Sequence, residues 1–424
     1  MKLKYLFFLP GLLSAAALAA PIQAPHLPVI PKTVFDVTHF GAVGDGRTLD
    51  TQAIQKTIDA AAAANGGVVR VPAGKFLTGP FTLDSRINLR LDRGAVLLIS
   101  DDMAHYPIVK HRYQDSITVS HAHDVEISGN GVIDGQGAAW WSAFRSNPRM
   151  THRPYMIKIT DCSRVLVSGV TLQNSPMFHL VPENCTDVTI RNIHIHAPSN
   201  APNTDGIDPS GWNFLITGCS IDTGDDDIAI KPTGGRHPGD KNFLIQDCAF
   251  GHGHGCSVGG GTFGGVEDVI VRHCSFDQTD AGIRIKSARD RGGLLQNVTY
   301  ENLRMKHVKH PIYIYDFYPE HNAPRNPADA KPAPVTGHTP FDKNIVIRNV
   351  TATDCPSAGT IYGLPEMPID GVIFSNVNLS ADAGMQIYYA RNIQFQDSKI
   401  TVRTGRPLVT YDAQVTGFQS RQNH

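Results

Sequence analysis

The sequence is poor in excess charge, in cysteine and in long apolar runs. Lysine and arginine total 38 against 39 aspartates and glutamates, a formal net charge of −1. That balance creates no field to draw the protein onto nucleic acid or an anionic membrane, so neither is expected as a partner. If a ligand is charged, its recognition has to be local. Cysteines number seven, so at least one is unpaired within the chain. They are too scattered for a disulfide scaffold, and no CxxC pair suggests structural zinc. One apolar stretch stands out, within "MKLKYLFFLPGLLSAAALAAPIQAP". Lys2 and Lys4 precede an apolar run from Tyr5 to Leu18, and Ala17-Leu18-Ala19 fits small-x-small cleavage. A secretory signal peptide over residues 1–20 is expected, and with it an extracellular or periplasmic protein. A membrane anchor fits less well, because the run is short, broken by Pro10 and followed by Pro21. Beyond it come a Pro-rich segment over 21–33 and a single domain over 34–424.

What the sequence does have is a repeat. Apolar, x, apolar, x, turn residue, apolar, x, apolar begins at Val165, Val188, Phe214, Phe243, Val269, Val298, Ile345, Val372 and Ile393. Most starts lie 21 to 29 residues apart. The longer gap after Val298 holds "YPEHNAPRNPADAKPAP", an inserted loop. Period-2 alternation marks strands, and a repeat too small to bury its own apolar face marks a solenoid. The fifth position is Gly, Asn, Asp or His in every copy, suited to a sharp bend. These features predict an all-β fold, a single-stranded parallel β-helix with rungs about 4.8 Å apart. Cys219, Cys248 and Cys274 share the sixth position and should stack inside. Cys162 and Cys185 share a register and could bridge. Ahead of the repeats, "DTQAIQKTIDAAAAANGG" predicts a helix with Ile54 and Ile58 on one face, capping the solenoid within about residues 34–110. "GAVGDG" has its glycines in the wrong order for a dinucleotide fingerprint and reads as a turn.

A second segment recurs once per coil: "NTDGID", "DDDIAIK", "GHGCSVGG", "GIRIK" and "PIYIYDFY". Its polar residues should align on one outer face: Asp205, the triplet Asp225–Asp227, His254, Arg284 with Lys286, then Tyr315 or Tyr318. Each alone has a plain explanation, as a turn or a solvated strand face. His252 and His254 could be half of a metal site, but no register-matched third and fourth ligands are evident. Alignment in consecutive coils is what argues for a site. Carboxylates crowded together cannot all ionise, so one should keep its proton while its neighbours stay charged. One acid and one or two bases are the equipment of glycoside hydrolysis. Arg284 and Lys286 would hold an anionic sugar through its carboxylate.

The set "NTDG", "GDDDIAIK", "GHG" and "RIK", in this order and spacing, resembles glycoside hydrolase family 28, the polygalacturonases and their relatives. The likeness extends over most of the mature chain, including "FGAVGDGRTLDTQAIQKTIDAA" and "GNGVIDGQGAAWW". The resemblance implies a right-handed parallel β-helix and metal-independent, inverting hydrolysis of α-1,4-galacturonan, with no cofactor. It implies Asp225 as general acid, Asp226 with Asp205 activating water, and His254 as the active-site histidine beside the acid. Arg284 and Lys286 match the carboxylate-binding pair, Asn203 at the head of the first motif is a further expected substrate-binding residue, and Tyr318 matches a substrate-contacting tyrosine. Asp227 falls at a position more often Cys or Asn, and strict alternation would put it on the same side as Asp225. Using Asp226 instead requires a bend at the strand start. Rhamnogalacturonan or xylogalacturonan hydrolase is the rival on the same fold. A calcium-dependent pectate lyase and a non-catalytic adhesin are rivals of other classes. A polysaccharide substrate and a monomer are expected. Endo or exo attack is left open, with the 311–340 insertion and Trp140-Trp141 as candidates for shaping the cleft.

Overall fold

The computed structural model describes residues 22–147, 149–150, 152–233 and 239–419. The expected signal peptide and its cleavage site lie outside the described residues. All nine repeat starts stack on one another. Val165 pairs with Val188, and the column continues through Phe214, Phe243, Val269, Val298, Ile345, Val372 and Ile393, in parallel register throughout. Each strand therefore takes its partners from the coils before and after it, which is a parallel β-helix. The one antiparallel pair among the described residues is a short hairpin, Ile108–Val109 with Arg112–Tyr113.

The bend at the fifth position is left-handed in every repeat, with φ between 47° and 76° from Gly169 to Asp397. His273 adopts it as readily as the glycines, asparagines and aspartates, at φ 53°. The residue just ahead of each repeat, from Arg164 to Asn392, forms a second left-handed row that the repeat pattern did not disclose. Asparagine fills much of it because its amide can bond along the stack. Asn242 donates to Asn213 at 2.6 Å, and Asn213 to Asp187 at 3.2 Å.

Inside the coils the apolar columns stack. The rings of Phe214 and Phe243 lie 4.6 Å apart and nearly parallel. Cys219, Cys248 and Cys274 are buried one above another, as their register requires. All seven cysteines are free thiols. Cys162 and Cys185 lie side by side in neighbouring coils without a bridge, their thiols in contact; Cys162 Sγ also donates to Thr160 O at 3.2 Å and Cys185 Sγ to Glu183 O at 3.3 Å. Helix α1, Thr51–Ala63, lays Ile54, Ile58 and Ala61 on the first coils and closes the end of the core. "GAVGDG" is a turn held by the Asp50 carboxylate, which accepts from Val43 N and Gly44 N. Helix α2, Ala138–Ser146, carries Trp140 into the core, while Trp141 packs on Ala197 and Ala201.

Candidate active site

The polar segments do occupy consecutive coils. Ile207 bridges to Ile228, which pairs with Cys256, then Ile283, then Ile312. These residues point into the core, so their neighbours in the strand point out. Ala229, Ser257, Arg284 and Tyr313 form one outward column. Gly259, Lys286, Tyr315 and Tyr362 form the next.

The aspartate triplet escapes this alternation because the strand begins only at Ile228. Asp225–Asp227 lie in the bend ahead of it. Asp227 turns inward, where its carboxyl accepts from Gly255 N at 3.0 Å and Thr223 Oγ at 3.1 Å. Gly255 has φ 74°, and a Cβ there would stand 1.9 Å from Ala281 O, so only glycine can present that N–H. Asp226 faces outward and is gripped: Arg284 Nη1 reaches Oδ1 at 2.6 Å and Lys286 Nζ reaches Oδ2 at 2.7 Å. Ser257 Oγ donates to the same Oδ1 at 3.0 Å. His254 Nδ1 stands 3.0 Å from Asp225 Oδ1 and 3.6 Å from Asp226 Oδ1. Asn203 donates to Asp225 Oδ2 at 3.4 Å and accepts from Arg153 at 2.7 Å. Tyr318 sets its ring 5.1 Å from Lys286 Nζ. The structure thus gathers Asn203, Asp225, Asp226, His254, Arg284, Lys286 and Tyr318 into one cluster, and Asp205 joins it through a lysine that sequence reasoning passed over.

That residue is Lys231. Its Nζ donates to Asp205 Oδ2 at 2.6 Å and to Asp208 Oδ2 at 2.8 Å. Both aspartates are buried, and each leaves its Oδ1 without a partner. Arg153, Asp208 and Ser257 were missed with it. The signal was present: Lys231 stands two coils from Lys286 in the same outward column, in a strand already singled out for its aspartates.

Charge decides where protons sit. Burial alone would raise Asp226, yet Lys286, the His254 hydrogen bond and Arg284 drive it well below the usual carboxylate range. Asp225 is half-buried, and against the rise this would bring, the hydrogen bond and charge of His254 hold it down. Burial lowers His254, and the two carboxylates outweigh that and push it up to about 10. Burial raises Asp205 and Asp227 well above their ordinary value, and Asp208 to about 6. The crowded triplet therefore does hold a raised carboxyl, but it is the inward Asp227. The proton nearest Asp225 resides on His254.

Asp225, Asp226 and His254 offer ligand atoms within 4.8 Å of one another, a spacing a cation can use. Arg284 and Lys286 already neutralise Asp226 and a protonated His254 adds like charge, so the local field opposes a divalent ion. His252 does not join them; it pairs with Asp222 at 3.0 Å.

Comparison with known proteins agrees with this geometry. The model of "Glycosyl hydrolases family 28" matches residues 64–401. A probable polygalacturonase of Vitis vinifera is 34% identical over 366 residues, covering 80% of this chain and 73% of the relative. The structure of a polygalacturonase from Erwinia carotovora ssp. carotovora superposes with a TM-score of 0.73 at 28% identity, covering 88% of this chain and 98% of that one. A hyperthermoactive exopolygalacturonase from Thermotoga maritima also gives 0.73, at 25% identity, over 92% and 94%. The stacked coils, the outward cluster of acids and cations, and these likenesses over most of the sequence together establish that the chain belongs to glycosyl hydrolases family 28.

Proposed function

We propose that the protein hydrolyses the α-1,4-linked galacturonan backbone of pectin by general acid and base catalysis. The observation that carries this reading is Asp226 held between Arg284 and Lys286, beside Asp225 and His254, on one face of the solenoid. A uronate carboxylate is the natural competitor for Arg284 and Lys286. Its arrival offsets the positive field that holds Asp225 and Asp226 low. The His254 proton can then pass along the 3.0 Å contact to Asp225, which delivers it to the leaving oxygen. Asp226 and Asp205 take the proton of the attacking water, with the Lys231 ammonium 2.6 Å from Asp205 Oδ2 favouring its ionised form against burial. Inversion at the anomeric carbon rests on the family resemblance. The same reading has the enzyme exported, since a polymer of this kind cannot enter a cell, and acting as a monomer without a cofactor.

The test is incubation with de-esterified polygalacturonate plus a chelator, following reducing ends and ultraviolet absorbance together. Reducing ends should appear without new absorbance. Absorbance from a new carbon–carbon double bond, lost on adding chelator, would assign a calcium-dependent lyase instead.

A further inference from the structure

The outward columns that carry Arg284 and Lys286 continue into tyrosines, and those tyrosines are buried. Tyr313 follows Arg284, Tyr315 follows Lys286, and Tyr362 follows Tyr315. All three point away from the core, where an open groove floor would leave them wet. They are nonetheless 7%, 8% and 4% exposed. Farther along the same columns Gln386 and Tyr411 are exposed again, so the covering is local.

The cover is the insertion between Tyr315 and Phe341. Phe317, Ala323 and Ala330 pack on the tyrosines. Tyr313 OH donates to Glu320 Oε1 at 2.7 Å, and Tyr389 OH to Pro327 O at 2.6 Å. Arg289 donates to Lys331 O at 3.1 Å and pairs with Glu366 at 2.5 Å. Tied down at three places, this segment is a fixed wall. Its charge suits a chain terminus. Burial would raise Glu320, but its hydrogen bonds and the fields of Arg284 and Lys286 keep it ionised. A polyanion continuing in this direction would run into a fixed carboxylate, whereas a terminal sugar would offer it a free hydroxyl to accept from.

The other side of the acids is built for passage. Tyr155 and Phe178 stack at 4.8 Å in the coils before Asp205, and both are half-buried. Lys231 Nζ stands 4.5 Å from the Phe178 ring; Lys158 Nζ and Arg112 Cζ stand 5.5 Å and 6.0 Å from the Tyr155 ring. Lys231 is paired with Asp205 and Asp208 and Lys158 with Glu183, so the strip offers stacking faces to sugar rings with Arg112 at its edge for a uronate carboxylate.

We infer that the groove has one open end, so that the anionic chain enters over Tyr155 and Phe178 and terminates against Tyr318 and Glu320. The enzyme then attacks chain ends rather than chain interiors, with Glu320 as the residue that sets this specificity. This rests on the hydrolase reading above. The experiment follows viscosity, reducing ends and product length during hydrolysis of polygalacturonate. Products of one short length should dominate from the first time points while viscosity barely falls. An early ladder of mixed lengths with collapsing viscosity would overturn the inference and leave the hydrolase reading intact. Absence of any new reducing ends would overturn both. A folded Glu320→Lys variant should admit chain past the wall, lengthening its products and speeding the viscosity drop several-fold. Unchanged product lengths in that variant would refute the role given to Glu320.

Discussion

Replacing Lys231 with methionine tests the part of the site that no motif pointed to. The substitution keeps a long apolar stem and removes the only cation in hydrogen-bond contact with Asp205 and Asp208 among the described residues. Breaking a fully buried ion pair costs about 3–5 kcal/mol. Here both carboxylates are 3% exposed but the lysine side chain is 32% exposed, so water can partly replace it. We therefore expect a loss of about 2–4 kcal/mol. With roughly 2 cal/mol/K of unfolding entropy per residue, a chain of this size loses about 1 °C of Tm per kcal/mol, so Tm should fall by roughly 2–5 °C. The catalytic effect has a defined sign. Without the ammonium, burial and mutual repulsion raise both carboxyls further, so the base is protonated over a wider range. The acidic limb of the kcat/KM profile should move to higher pH, with a loss of about 100-fold below it. Asp208→Asn in the same background removes the competing carboxylate and should recover part of both losses, a positive coupling in a double-mutant cycle. Calorimetry and a pH–rate series on the two variants would settle the matter. An unmoved acidic limb with unchanged Tm in Lys231→Met would refute the coupling of Lys231 to the base.

Four further outcomes are expected. Asp225→Asn and Asp226→Asn should each lose activity by about 10²–10⁴-fold, whereas Asp227→Asn, replacing an inward carboxyl that is already protonated, should keep most of it; reducing-end assays on folded variants decide this, and a dead Asp227→Asn enzyme would contradict its inward placement. Asp227→Ala should cost about 2–4 kcal/mol, since two hydrogen bonds are lost and the Gly255 N–H is left buried without a partner. His254 has a folded pKa of about 10 against an ordinary 6.5, so it stabilises the fold fully below pH 6.5 and that contribution is lost as pH rises through about 10; His254→Gln should flatten the fall of Tm across that window, and an unchanged slope would count against the assigned contacts. Phe243→Ala should cost about 3–5 kcal/mol by opening a cavity in the stacked ring column, read as a lower denaturation midpoint.

Much of the fold was legible because a solenoid repeats its own physics. Nine starts sharing one pattern must stack if their apolar faces are to be buried, and pairing Val165 with Val188 fixes every later rung. The second left-handed row was harder to see. Arg164, Asp187 and Asn213 have little in common as sequence, and what selects them is a backbone angle and an amide ladder between coils. The cysteines show the same limit. Shared register brought Cys162 and Cys185 into contact, but register fixes only proximity, not the sulfur geometry a bridge needs.

The site was legible in its membership and not in its protonation, and the reason is where the deciding charges come from. Three adjacent aspartates announce that one carboxyl is raised, because neighbours in sequence repel whatever the fold. Which one is raised depends on groups from other coils. Arg284 and Lys286 arrive from two coils on and His254 from one, and all three take hold of the outward pair. Asp227 alone turns inward, where burial outweighs the charge of His254 and its carboxyl is raised well above the usual range. Had strict alternation governed the triplet, Asp226 would have pointed inward and Asp225 and Asp227 outward, leaving Arg284 and Lys286 no partner at Asp226. The bend ahead of Ile228 is therefore what converts three equivalent-looking carboxylates into three different ones. In the proposed mechanism the acid is then uncharged only on demand: the proton waits on His254 until an anionic sugar weakens the field around Asp225. A substrate lacking the carboxylate should accordingly lose kcat as well as affinity. Equal kcat on a neutral oligosaccharide of the same linkage would show that the proton reaches Asp225 without that help.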